Sequence, residues 1–300
     1  MLGVVNLDKP VGPTSHDMVG LMRRLTGTRR IGHAGTLDPL ASGVLPILVG
    51  QATRFSEELT GGSKRYEATI RLGATSATDD GEGPIHPGDR PVPDEAAIRD
   101  GLGAFVATFA QRPPTYSARK VAGRAAYRAA RSGEAVALAP RTVTVHAIDV
   151  LAVSSGAGWT DVTIDLRCGP GTYVRSIARD LGEALGCGGY LHALRRTEAA
   201  GLRIDGAMTP ERLEALASDG RLADALLPVA DLLPLPRLRL SSVDADRFRH
   251  GSRVTVTVEE ASDGPDRRRA IFDHGDQLLG IGSIVGRELR PEKVLAEVAG

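Results

Sequence analysis

The stretch Gly32-His33-Ala34-Gly35-Thr36-Leu37-Asp38-Pro39-Leu40-Ala41-Ser42-Gly43-Val44-Leu45-Pro46 is the densest concentration of residues able to do chemistry. Pro39 steers Asp38 away from the helical region and holds it extended. The glycines permit close turns, and Leu37 and Leu40 can anchor the loop in apolar surroundings, as a carboxylate held rigidly in a cleft requires. The plainer reading is an Asp-Pro turn in which Asp38 bonds its own backbone. His33 could ligate a metal, yet no second His or Cys follows at ligand spacing, so a structural histidine is the default. Tyr66 falls on the apolar side of an alternating run, where a core aromatic is the commoner fate. Arg175 opens a helical pattern, where the helix dipole disfavours a cation, so it calls for a carboxylate partner.

The elements that must position these residues are legible in outline. Gly3 to Leu7 reads as a strand, followed by a turn at Lys9-Pro10-Val11-Gly12-Pro13. Thr14 and Asp17 have capping-box spacing, with Met18, Met22 and Leu25 at helical intervals behind them. The punctuation from Arg29 to Pro46 predicts one long ordered loop opening into a strand at Ile47-Leu48-Val49. Tyr66, Ala68, Ile70 and Leu72 alternate with Arg65, Glu67, Thr69 and Arg71, the period of a half-buried strand. Residues 79–94, acidic and rich in Gly and Pro, read as a surface loop. Asp161 to Cys168 alternates again, and Arg175 to Leu185 is a helix ending at Gly186. Gly169 and Gly171 lie before that helix but match no phosphate-binding glycine motif, so they read as backbone clearance. The Leu/Pro-rich segment between Pro228 and Pro236 reads as a linker. Beyond it Val254–Val258, Ala270–Phe272 and Leu278–Val285 form a small β-rich module.

Three hundred residues suffice for one large domain and a small one. No apolar run approaches the roughly 20 residues that span a bilayer, and no basic-then-apolar leader opens the chain, so a cytoplasmic protein is expected. Cys168 and Cys187 make neither a disulfide framework nor a zinc spacing. Formal net charge is zero, but the charge is sorted. Residues 105–141 carry Arg112, Arg119, Lys120, Arg124, Arg128, Arg131 and Arg141 against Glu134 alone. That is either a solvated helix face or a basic surface for nucleic acid. With few large apolar residues after Tyr116, weak order is expected in part of residues 119–139 until RNA supplies counter-charge. Arginine far outnumbers lysine, a bias that a GC-rich genome produces by itself.

The Gly-His-Ala-Gly-Thr-Leu-Asp-Pro block resembles the signature of the bacterial tRNA pseudouridine-55 synthase family, the TruB family. Further blocks follow in the family's order. They are Asn6-Leu7-Asp8-Lys9-Pro10, Lys64-Arg65-Tyr66-Glu67-Ala68, Arg112-Pro113-Pro114-Thr115-Tyr116-Ser117-Ala118, Gly171-Thr172-Tyr173-Val174-Arg175-Ser176 and Leu194-Arg195-Arg196. The resemblance covers roughly residues 3–200. It implies isomerisation of uridine to pseudouridine at position 55 of the tRNA TΨC loop, acting alone and as a monomer, with neither metal nor organic cofactor.

It makes Asp38 the catalytic aspartate, as nucleophile or as base. It also pairs Arg175 with Asp38, stacks Tyr66 on the target base, and sends His33 into the space left by the flipped nucleotide. Lys9 is implied to order the neighbourhood or contact phosphate. Tyr173, Arg119, Lys120 and Arg124 are implied RNA contacts, the last three on a thumb over the T arm spanning about 105–141. The implied fold is α+β: a mixed, mainly antiparallel sheet flanked by helices over residues 1–232. A PUA-like RNA-binding module over 233–300 is implied by the Gly275–Gly282 hairpin, although Glu259 to Asp266 is acidic. Two rival readings are an RNA-binding or tRNA-folding protein with secondary or lost catalysis, and a metal-dependent hydrolase using His33 and Asp38.

Overall fold

The computed structural model describes residues 1–114, 139–257 and 267–296, with the backbone alone at 120–121 and 124–125. Its centre is a nine-stranded sheet. The main path runs β1 (Gly3–Lys9), β3 (Ala41–Val49), β12 (Gly189–Ala199), β4 (Lys64–Leu72), β11 (Trp159–Cys168), β10 (Arg141–Gly156) and β7 (Thr108–Gln111). β2 (Ile31–His33) pairs with β3, and β13 (Leu202–Arg203) with β12. Within it every pairing is antiparallel except that of β12 with β3.

That parallel contact brings Arg196 beside Gly43. Gly43 has φ +102, and a Cβ there would lie 2.2 Å from the Arg196 carbonyl oxygen, so only glycine lets the two strands approach. β3 therefore begins at Ala41, not at Ile47, and the expected long loop shrinks to residues 34–40. Pro46 is tolerated inside β3 for a local reason. β2 pairs with residues 47–49 and β12 with 41–43, so on that side Pro46 faces a gap in the ladder. Its carbonyl still accepts the Ala34 N–H at 2.9 Å.

One face of the sheet is covered by α1 (Ser15–Thr26), α3 (Glu95–Gly103), α4 (Val174–Leu185) and α5 (Pro210–Ser218). Between them lies a core that includes Leu7, Met22, Leu45, Ile70, Ile164, Ile177 and Leu181. The capping box at the start of α1 is present, Thr14 and Asp17 each serving the other's backbone. On the other face, β1 and β3 contribute Val4, Val44 and Leu48 to a second core. That core continues through Phe55 before α2 (Ser56–Thr60), and into Ala270, Phe272, Leu278 and Ile281 of the C-terminal sheet. There β14 (Arg237–Arg239), β16 (Arg268–Phe272), β17 (Leu278–Val285), β18 (Glu288–Val294) and β15 (Val254–Thr255) lie side by side. A short helix, α6 (Ser242–Arg249), packs on it.

The 228–236 linker is no free tether. Val229 and Leu233 are buried in the shared core, and Glu58 of α2 binds Arg268 and Lys293 across the junction. The remaining strands form two small hairpins, β5 (Ala74–Ser76) with β6 (Ile85–Pro87) and β8 (Lys120–Val121) with β9 (Arg124–Ala125). Residues 108–111 were expected in a basic insertion but belong to the main sheet. β7 extends its edge, and Phe105 packs edge-on against Phe109. Among the described residues no helix is long and apolar enough to cross a membrane.

Candidate active site

Residues 34–40 form a short loop between β2 and β3, and buried groups tie down almost every turn of it. The Ser15 hydroxyl accepts the Leu37 N–H at 2.8 Å and donates to the Leu37 carbonyl at 2.9 Å. Arg196, fully buried on β12, donates to the carbonyls of Val44 (2.7 Å), Gly35 (2.9 Å) and Thr36 (3.4 Å). Gly12 N–H donates to Pro39 from below. The Lys9 ammonium donates to the carbonyls of Pro10, Pro13 and Pro39. Burial lowers its pKa to about 8, against opposing pulls from Asp38 and Glu82. Lys9 has no exposed surface, so it is placed to order this loop and offers nothing to a phosphate.

Asp38 projects from this framework with its side chain 40 % exposed, open to a substrate. Its Oδ2 lies 2.9 Å from Arg175 Nη2. Arg175 sits one residue inside the N-terminus of α4 and is buried to 6 % of its side-chain surface. Its Nη1 lies 3.2 Å from Asp80 Oδ2 and donates to the Thr78 carbonyl at 3.1 Å. One turn on, Arg179 pairs with Asp79 at 2.7 Å and with Asp180. The start of the acidic 79–94 segment is thus not a solvated surface loop. Asp79 and Asp80 are drawn inward because two arginines at i and i+4 on α4 require counter-charge in a region shielded from water. A bridge from Asp80 to Leu191 fixes the segment to β12, while residues 85–91 remain exposed.

Tyr66 lies on β4 opposite Arg196, with 7 % of its surface exposed, on the apolar side of the alternation. Burial raises its phenol pKa, opposed by Arg196, so the hydroxyl is neutral at physiological pH. His33 ends β2 beside the loop. Burial lowers its pKa, with Arg196 and His16 adding to the effect, so the ring is neutral. Its Nδ1 is buried without a hydrogen-bond partner. A satisfied structural histidine would not leave that atom orphaned.

Tyr173 occupies the cap position of α4. Gln111 grips its backbone from both sides, donating to the carbonyl at 3.0 Å and accepting from the N–H at 2.9 Å. Arg112 is exposed but anchored to α4. Its carbonyl accepts Ser176 Oγ and Arg179 Nη2, and its guanidinium pairs with Glu183. Arg119 lies outside the described residues, as do the side chains of Lys120 and Arg124 and most of the 119–139 segment whose order was in question.

Asp38 and Arg175 are therefore in direct contact, Tyr66 lies close enough to Asp38 and Arg196 to feel both charges, and His33 ends the strand that leads into the same loop. Sequence reasoning missed Asp80, Ser15 and Gln111, and gave Arg196 no role. The usable signal for Asp80 was the pair of arginines one helical turn apart, which needs two nearby acids. Nothing local marked Ser15 or Gln111. Among the described residues, no three His, Cys, Asp or Glu side chains gather where they could hold a metal ion.

The chain matches two family models: the N-terminal domain of TruB family pseudouridylate synthases over residues 23–174, and the C-terminal domain of tRNA pseudouridylate synthase B over 175–234. It is 44 % identical over 298 residues to the tRNA pseudouridine synthase B of Ralstonia nicotianae, covering 98 % of this chain and 94 % of that protein. It is 42 % identical to the protein of the same name from Burkholderia mallei, covering 98 % and 96 %. Among solved structures, one chain of a Cbf5-Nop10-Gar1 complex superposes with a TM-score of 0.72 at 28 % identity, covering 97 % of this chain and 84 % of that one. A chain of an H/ACA ribonucleoprotein bound to a substrate RNA gives 0.73 at 24 % identity, with the same coverage.

Proposed function

Since the chain belongs to the TruB family of pseudouridylate synthases, we propose that it isomerises uridine 55 in the TΨC loop of tRNA, without a guide RNA. The observation that carries this reading is the half-open Asp38 carboxylate on a rigidly tied loop, held by buried Arg175 beside a buried tyrosine. The reaction breaks the C1′–N1 glycosidic bond, turns the uracil and joins C1′ to C5. C5 loses a proton and N1 gains one. The target must leave its stack for this to happen. Asp38 acts on the flipped nucleotide, as nucleophile at the sugar or as base. Arg175 keeps it aimed, because a guanidinium fork fixes direction as well as charge.

Tyr66 lies against the base, where stacking is worth roughly 1–3 kcal/mol, and its hydroxyl is a candidate acceptor for the C5 proton. His33, neutral and with an unpartnered nitrogen, suits insertion where the nucleotide leaves the loop. Tyr173, capping the helix that carries Arg175, is a further RNA contact in this reading, and Arg119, Lys120 and Arg124 supply phosphate contacts. Residues 1–232 form the catalytic domain and 233–300 a PUA-like RNA-binding module. The protein works as a monomer in the cytoplasm. The test is pseudouridine mapping on unmodified tRNA after incubation with the purified protein alone. Signal confined to position 55 supports the reading; signal elsewhere, or none without added RNA or protein, refutes it.

A further inference from the structure

We infer that a second surface, formed by Arg23, Arg29, Arg30 and Arg54, binds phosphates of the substrate RNA beyond the flipped nucleotide. The inference rests on the function proposed above. Several arginines of this protein are set against acids: Arg65 with Asp165, Arg71 with Asp161, Arg195 with Asp8, and Arg24 with Glu214. Arg23, Arg29 and Arg54, like the scattered Arg90, Arg167 and Arg212, are not; what marks them is where they lie. All three are exposed, and none is paired with a carboxylate among the described residues. Arg30 is exposed as well and is pinned by one bond from Nε to Thr53 Oγ1 at 3.1 Å. Between Met18 and Phe55 the sole acid is Asp38 itself.

Arg30 and the turn that carries Arg54 meet in space although the chain separates them. Gly50 N–H donates to the Arg30 carbonyl at 2.8 Å, which sets the turn carrying Thr53 and Arg54 beside Arg30. Arg23 lies in the last turn of α1, only a few residues before Arg29. The C-terminal helix dipole accounts for a cation at Arg23 and Arg24, but not for Arg29, Arg30 or Arg54.

The patch is also continuous with the site. His16, Gly20 and Arg23 recur at i, i+4 and i+7 on the exposed side of α1. His16 lies close enough to His33 to lower its pKa. Gly20 has nothing within 4 Å of where a Cβ would stand, so a sugar–phosphate chain can lie close there, while the one neighbouring acid, Asp17, is engaged by the Thr14 N–H and hydroxyl. The nine residues from Ser15, which holds Leu37, to Arg23 span about 12 Å. β2 covers the same ground, with Arg30 before its first residue and His33 at its last. Unpaired guanidinium forks match phosphate oxygens in geometry and charge. An acidic protein would satisfy the charge alike, but nothing would lead it along a track that ends at Asp38.

The test measures equilibrium binding of unmodified tRNA to the full chain between about 50 and 200 mM salt. R23Q/R29Q/R54Q should weaken binding at least tenfold at the low end. It should also lower the slope of log K against log salt by about two to three, one phosphate per arginine. R23K/R29K/R54K should retain most of the slope. R90Q/R99Q/R221Q, an equal loss of charge at exposed arginines with no part in the site or in the C-terminal module, should leave it unchanged. An unaltered slope in the first variant, or an equal fall in the last, overturns the inference. Pseudouridine formation by the wild-type protein is scored on the same tRNA. Binding that depends on the patch without isomerisation would remove the proposed function and leave this surface standing.

Discussion

Asp80 holds the guanidinium that Asp38 uses: Arg175 Nη1 lies 3.2 Å from Asp80 while Nη2 lies 2.9 Å from Asp38. Asp80 is buried and Asp38 half-exposed, so one acid faces the protein and the other the substrate. Asp80 is itself fixed, accepting from Thr78 Oγ1 and the Glu82 N–H.

Asp80→Asn should therefore lower turnover at saturating tRNA by about tenfold or more, equivalent to roughly 1.4 kcal/mol. Affinity for tRNA should hold, because the side chain is out of RNA's reach. Single-turnover kinetics beside a binding titration separates the two. Full turnover in Asp80→Asn would mean that Asp38 and the Thr78 carbonyl suffice to aim Arg175.

Tyr66→Phe should bind tRNA nearly as well as wild type and turn over poorly, since only the hydroxyl is lost. Tyr66→Leu should also lose stacking, about tenfold or more in affinity for the flipped substrate. If Tyr66→Phe keeps full turnover, the proton-acceptor role fails and stacking alone remains.

The catalytic block, the alternation around Tyr66 and the capped helix α1 were legible because each is local: a motif, a period, a pair of residues three apart. The need of Arg175 for an acid was legible too. The second acid was not, because Asp80 is delivered by a segment whose composition reads as surface. Its burial depends on α4 lying against it. β3 was read short for a related reason. Gly43 and Pro46 look like loop punctuation, and only the neighbouring strands explain them, one by close approach and one by a gap in pairing.

Arg196 ties the loop through three backbone carbonyls from a fully buried position. Arg196→Lys keeps the charge but cannot reproduce the fork, and leaving carbonyls unpaired costs about 1–3 kcal/mol. Urea unfolding should show a loss of that size, with activity falling further as Asp38 loses its support. Wild-type stability in Arg196→Lys would show that water or backbone shifts replace the fork.

Lys9 sets a pH dependence. Its pKa falls from 10.5 to about 8 in the folded protein, because burial penalises the charge. Above about pH 8 the unfolded chain then binds more protons than the native one, so this group's contribution to stability rises with pH until the unfolded lysine also titrates. Lys9→Met lacks that gain. The stability difference, wild type minus variant, should grow by on the order of 2 kcal/mol between about pH 8 and 10 in urea titrations. A difference that stays flat contradicts the depressed pKa.

The central claim is that Asp38 carries the isomerisation, and position-resolved pseudouridine mapping with purified protein and unmodified tRNA tests it most directly. Wild-type protein alone should convert uridine 55. Asp38→Asn should convert none while binding the same tRNA within about tenfold, or roughly 1.4 kcal/mol, of wild type. Measurable conversion by Asp38→Asn would contradict the account.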